Sequence, residues 1–126
     1  TDRTGDGFGM LLALNLVMVV CCALTMLISP QWPAFALALL FIAFGASAVG
    51  WNGIYVAEVA RISPHGMVSV MTASASVWNY AGILIGPAAF ATLYRSTGSY
   101  TITFGWLTVI AVLGLAFISA ARRAAR

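Results

Sequence analysis

The chain has 126 residues, of which 62% are hydrophobic and 7% charged, and its mean hydropathy is +1.00. Soluble globular domains carry about 25% charged residues, so this composition excludes that class and predicts an integral membrane protein. The formal net charge of +3 comes from arginines at the ends of apolar segments, where lipid headgroups account for them. We therefore expect a lipid bilayer and no nucleic acid as partner.

Four apolar stretches separated by short polar joints predict an all-α, polytopic membrane protein with four antiparallel transmembrane helices. The predicted spans cover about 8–28, 34–57, 67–93 and 102–121, between a polar opening at 1–7 and a basic tail at 122–126. The chain opens on Thr1 without the features of a signal peptide, and we expect it to begin within a longer protein.

The first predicted span carries only Asn15 and Thr25 as hydrogen-bonding side chains, and its apolar residues fall on every side of a helix. This pattern predicts a lipid-facing helix. Its cysteines, Cys21 and Cys22, are adjacent and have no third cysteine to pair with, so neither a disulfide nor a metal site follows. The segment 29–33 ends the helix, because it contains two prolines.

The second and third spans carry most of the polar groups. Glycines at Gly45, Gly50 and Gly53 disfavour a helix surrounded by lipid alone, so the second span needs neighbouring helices. The third span has a small, polar side, and Gly86 with Pro87 should kink it near its far end.

Five polar residues at membrane depth are candidates for the lining of a substrate cavity, because polar groups there usually face the protein interior. They are Ser47 and Asn52 in the second span and Ser76, Asn79 and Tyr80 in the third. We expect them to share one open face. The alternative is that they only join helices through hydrogen bonds, worth about 0.6 kcal/mol each on average.

Enzymatic activity is not expected. The single histidine, His65, lies in a surface joint, and the acids lie at one rim, so the sequence offers no catalytic residue, no metal site and no cofactor site. Ser47 lies in a segment similar to that of an intramembrane serine protease, but no histidine lies at its depth.

Arginine placement predicts the orientation. Four spans put five of the arginines on one side and only Arg95 on the other, so both ends should be cytoplasmic. We expect the protein to lie in a cell membrane, and the inner membrane of a bacterium is the location we favour.

Asp2-Arg3-Thr4-Gly5, directly before a span, resembles the end of the loop motif of the major facilitator superfamily of transporters. The segment from Gly50 to Pro64 resembles the end of the tenth helix of that family. Gly86-Pro87 and the following turn at 97–100 resemble the eleventh helix and its passage into the twelfth.

The resemblance covers the whole chain and implies helices nine to twelve of a twelve-helix carrier that moves a small solute by alternating access. Its implied partners are the missing amino-terminal helices and a small-molecule substrate. Two departures stand out. The positions after Gly5 that are often basic in the family are Asp6, Gly7 and Phe8 here, which suits the degenerate second copy of the motif. In the outer turn, Arg95 stands where the family frequently has an acid, and no physical reason for this change is evident.

The resemblance also implies a cytoplasmic gate formed by Asp2, Arg3, Gly5, Glu58 and Arg61. We expect an ion pair between Arg3 and Glu58, with Asp2 near a helix amino terminus; the alternative is that Glu58 pairs with Arg61, three residues on. No acidic or basic residue of this chain lies near the midplane of the membrane. A residue that couples transport to a proton or sodium ion, as in a symporter or antiporter, would therefore belong to the missing helices, or coupling is absent.

Two other functions fit the pattern of four spans. The first is a small multidrug exporter acting as a dimer, which needs an acid in its first span where this chain has only Asn15. The second is a noncatalytic membrane subunit or assembly factor, which would have a start codon immediately before Thr1.

Overall fold

The computed structural model describes residues 6–124, and within that range the chain forms four α-helices joined by short turns. They are α1 (Gly7–Met26), α2 (Ala34–Ile62), α3 (Val68–Thr97) and α4 (Tyr100–Ala124). Each is long and apolar enough to cross a membrane. The predicted all-α class and the four helices able to span a membrane are therefore confirmed.

Local chemistry explains where the helices begin and end. The Asp6 carboxylate caps α1, since its Oδ1 accepts a hydrogen bond from the backbone N–H of Gly9 at 2.8 Å. Pro33 lies just before α2 in an extended conformation, where its missing N–H costs nothing. Gly98 ends α3 with a φ of +63°, a left-handed conformation that favours glycine.

Three helices extend past the predicted spans by more than one residue, and α4 does so by two residues at its start and three at its end. α2 continues to Ile62 and α3 to Thr97, so Glu58 and Arg61 lie on helical turns rather than in a joint. Helical hydrogen bonding can continue beyond the apolar segment, because the backbone of the added turns stays paired whether lipid or water surrounds it.

The four helices form a ring in which each packs against its two neighbours in sequence and α4 closes against α1. The α1 contacts with α2 and α4 are the most extensive. α1 buries Leu11, Cys21 and Cys22 between these neighbours. The rest of α1 carries exposed apolar side chains, among them Leu16 and Val20, so the prediction of a lipid-facing helix stays a prediction.

α3 is the most weakly packed helix. None of its residues is buried, and its most apolar stretch has a mean hydropathy of 1.3, against 2.0 to 2.4 for the other helices. Two aromatic pairs hold its far end to α4: Phe90 lies edge-on to Phe104, and Tyr94 stacks on Tyr100 with ring centroids 4.2 Å apart. α3 passes through Pro87 without ending, and the bend at Gly86 and Pro87 stays a prediction.

Candidate functional site

A side-chain hydrogen bond between α2 and α3 joins two of the predicted cavity residues. Asn79 donates from Nδ2 to Oδ1 of Asn52 at 3.2 Å, although 27 residues separate them in the chain. The bond lies at the exposed edge of the helix pair. The structure thus brings together Asn52 and Asn79 on a side of the bundle that no other described helix covers.

Ser76 and Tyr80 extend this edge along α3. The Ser76 hydroxyl is half-buried and donates to the backbone carbonyl of Thr72 at 2.8 Å, so its oxygen can still accept a hydrogen bond. The Tyr80 side chain is 68% exposed. We name Asn52, Ser76, Asn79 and Tyr80 the polar face.

Ser47 does not belong to the polar face, so the prediction of one face shared by all five residues is wrong. Asn52 follows Ser47 by five positions, which turns the two side chains about 140° apart around α2. Ser47 is buried, donates to the backbone carbonyl of Phe44 at 2.9 Å and faces α1 and α4.

The Ser47 side of α2 borders a second feature, a half-open cavity of about 480 Å³ between α1, α2 and α4. Ser47, Trp51 and Tyr55 line it from α2, where a spacing of four residues puts them on one side of the helix. Asn15 lines it from α1 and Gly114 from α4, and the remaining lining is apolar. We name this space the α1–α2–α4 cavity.

Asn15 has an unusual environment in this cavity. Its Oδ1 is shielded from solvent and has no hydrogen-bond partner among the described residues. Its amide lies against Gly114, where an added Cβ would come within 3.0 Å of Nδ2. Gly114 therefore makes room for a polar group that finds no partner in the described residues.

Charged side chains collect at one end of the bundle, where α1 begins and α2 and α4 end. Arg122 of α4 forms an ion pair with Asp6, the capping residue of α1, and both side chains are partly exposed. Arg61 binds Glu58 with two guanidinium hydrogen bonds, of which the bond from Nε to Oε2 measures 3.0 Å. We name Asp6, Glu58, Arg61 and Arg122 the charged rim.

Glu58 occupies the most enclosed position in this rim. It is buried, and its carboxylate lies against Gly7 at the start of α1, where the free N–H groups of a helix favour negative charge. The contact between Glu58 and Arg61 is the alternative considered above for the expected pair with Arg3. Asp2, Arg3 and Gly5 of the predicted gate lie outside the described residues.

Sequence reasoning missed three of these features: the cap and ion pair of Asp6, the contact of Glu58 with Gly7, and the α1–α2–α4 cavity. The cap had a signal, because an aspartate directly before an apolar helical segment is a preferred N-cap residue. The cavity also had one, since Ser47, Trp51 and Tyr55 recur every four residues.

Fold and sites together define an integral membrane protein with four helices able to span the bilayer. Comparison of the chain with protein-family models, with curated proteins and with solved structures finds no match.

Proposed function

We propose that this chain is the carboxyl-terminal part of a secondary transporter of the major facilitator superfamily, corresponding to helices nine to twelve. In this proposal it moves a small solute by alternating access between two sides of the membrane. The observation that carries the proposal is the uncovered polar face on α2 and α3.

Exposing the polar side of a helix to lipid is energetically unfavourable. Polar groups within the hydrocarbon usually face other helices or a water-filled space, because lipid offers them no hydrogen-bond partner. α3 is the least apolar helix and buries no residue, and the polar face lies along its edge with α2. This supports a protein partner or an aqueous cavity beside α3, as a carrier with additional helices provides.

The charged rim supports the same proposal from another direction. In the proposed carrier, the ion pair of Asp6 with Arg122 ties the end of α4 to the start of α1. The Glu58 carboxylate, which Arg61 binds within α2, lies against Gly7 and so joins the end of α2 to the same place. The rim would then close the cytoplasmic entrance in one state of the transport cycle and move with the helices in the other.

Cysteine accessibility in the full-length protein tests the proposal. Cys21 and Cys22 are replaced by alanine, single cysteines are introduced at Ser76 and Tyr80, and a membrane-impermeant thiol reagent is applied to cells. Trp78→Cys is the depth-matched control, since Trp78 is 79% exposed and about 160° around the helix from Tyr80.

We expect the reagent to label the cysteines on the polar face and not the cysteine at position 78. Equal labelling at all three positions, or labelling only at position 78, would count against an aqueous cavity beside α3. A carboxyl-terminal tag supplies a second test: the tagged protein should migrate well above the 13.2 kDa of this chain, with additional spans before Thr1. Migration at that mass would refute the proposal of a longer carrier.

A further inference from the structure

We propose that the α1–α2–α4 cavity is a binding site for a neutral, mostly apolar small molecule that carries one hydrogen-bond donor, and that Asn15 accepts that donor. This inference does not depend on the transport proposal, because the cavity lies on the other side of α2 from the polar face.

The size of the cavity fits a small molecule. Its volume of about 480 Å³ falls within the roughly 300–1,000 Å³ of ligand pockets. One turn of an α-helix, about 10 Å wide and 5.4 Å tall, would occupy about 420 Å³. A membrane-spanning helix has several turns, so it cannot enter the cavity as a whole.

The lining determines the chemical class of the ligand. No Asp, Glu, Lys, Arg or His side chain lines the cavity within the described residues, so a charged ligand would find no counter-charge there. Phe44, Trp51 and Tyr55 contribute aromatic surface, with the rings of Trp51 and Tyr55 tilted at a centroid distance of 5.4 Å. An aromatic ring or a branched aliphatic group suits this surface.

Asn15 requires the hydrogen-bond donor. An unpaired amide oxygen in an apolar site is unfavourable, and a lipid acyl chain, which has no donor, would leave it unpaired. A half-turn about the soft χ2 torsion would exchange the positions of Oδ1 and Nδ2 without moving α1, and so bring the oxygen out of its shielded position. A phenol or an alcohol would then satisfy it.

Tryptophan fluorescence tests the inference on the full-length protein in lipid nanodiscs, with Trp51 as the only tryptophan and phenylalanine at the others. The probes are 4-bromophenol, which carries an O–H donor, and 4-bromoanisole, which has the same ring and bromine without the donor. A protein whose only tryptophan is the exposed Trp78 reports quenching by probe dissolved in the lipid.

We expect 4-bromophenol to quench Trp51 saturably and Trp78 without saturation. Asn15→Leu, which keeps the volume and removes the acceptor, should weaken the binding of 4-bromophenol about threefold to tenfold and leave that of 4-bromoanisole unchanged. Gly114→Ala should weaken both probes, because the added methyl crowds the Asn15 amide. The Asn15→Leu variant should be at least as stable as the parent, since it removes an unpaired polar group, and this keeps the test valid.

Three results would overturn the inference. Equal affinity of the two probes, unaffected by Asn15→Leu, would exclude recognition of a donor. Quenching of Trp51 by dibrominated phosphatidylcholine as strong as that of Trp78 would mean that acyl chains fill the cavity. No quenching of Trp51 by any probe would mean that protein closes it.

Discussion

The carboxylate of Glu58, near the end of α2, lies directly against Gly7, the first residue of α1. A Cβ at position 7 would overlap this carboxylate, so glycine is the residue that allows the two helix ends to meet. Arg61, three residues further along α2, binds the same carboxylate. The end of α2 thus meets the beginning of α1 through a close steric fit, at a helix start that favours negative charge.

The first prediction concerns this steric fit. Gly7→Ala should destabilise the protein by about 1 kcal/mol, because the new methyl displaces Glu58 from the start of α1 and this loss exceeds the gain in helix propensity. Gly45→Ala is the matched control. An added Cβ at Gly45 contacts nothing within 4 Å, so this variant should be neutral or slightly more stable. Denaturant unfolding in detergent micelles measures both, and equal effects would contradict the prediction.

The second prediction separates the two roles of Asp6. Asp6→Asn retains the cap of α1 and loses the ion pair with Arg122, which should cost under about 1 kcal/mol because both side chains are partly exposed. Asp6→Ala loses the cap as well, which should cost about 1 kcal/mol more.

The same unfolding measurement tests this pair of variants at low and high salt. The effect of Asp6→Asn should shrink at high salt, because ions screen an exposed pair, whereas the additional effect of Asp6→Ala should persist. A salt-independent loss in Asp6→Asn would mean that the ion pair contributes nothing.

The number of helices and their approximate position could be predicted from the sequence, because hydropathy and proline placement act locally. The mutual arrangement of the polar residues could not. Ser47 and Asn52 differ by only five positions, yet they face different neighbours, and only the packing of α2 between α1 and α3 determines which side each one meets. The spacing by itself puts the two side chains about 140° apart around α2, but it does not say which neighbouring helix each one meets.

The charges at the rim were harder still to predict. Glu58 could have paired with a residue on its own helix or on another, and the sequence offers arginines in both places. Within residues 6–124, Glu58 pairs with Arg61 on its own helix and lies against Gly7 of α1, while the expected pair with Arg3 stays a prediction.

The third prediction concerns the bond between α2 and α3. A double-mutant cycle with Asn52→Leu and Asn79→Leu should give a coupling energy of about 0.6 kcal/mol, the average for interhelical hydrogen bonds in membranes. Thermal unfolding in nanodiscs provides the stabilities. A coupling indistinguishable from zero would show that the two amides bind other partners in the membrane.

The last prediction concerns Glu58 and rests on the proposed carrier. Glu58→Gln keeps the shape of the side chain and removes the charge that Arg61 and the start of α1 stabilise. The cost in stability should be modest, about 0.3–1 kcal/mol, because Arg61 is largely exposed and can return to water.

Transport in the full-length protein should fall further than the folded abundance, because a rim that closes the entrance depends on a charge that breaks and re-forms its contacts. The measurements are the initial rate per folded molecule and the folded amount. Thr103→Ser, which removes one methyl group from a buried site outside the charged rim, is the comparison of similar stability. A rate that falls only in proportion to the folded amount would mean that Glu58 holds the helices together and takes no part in gating.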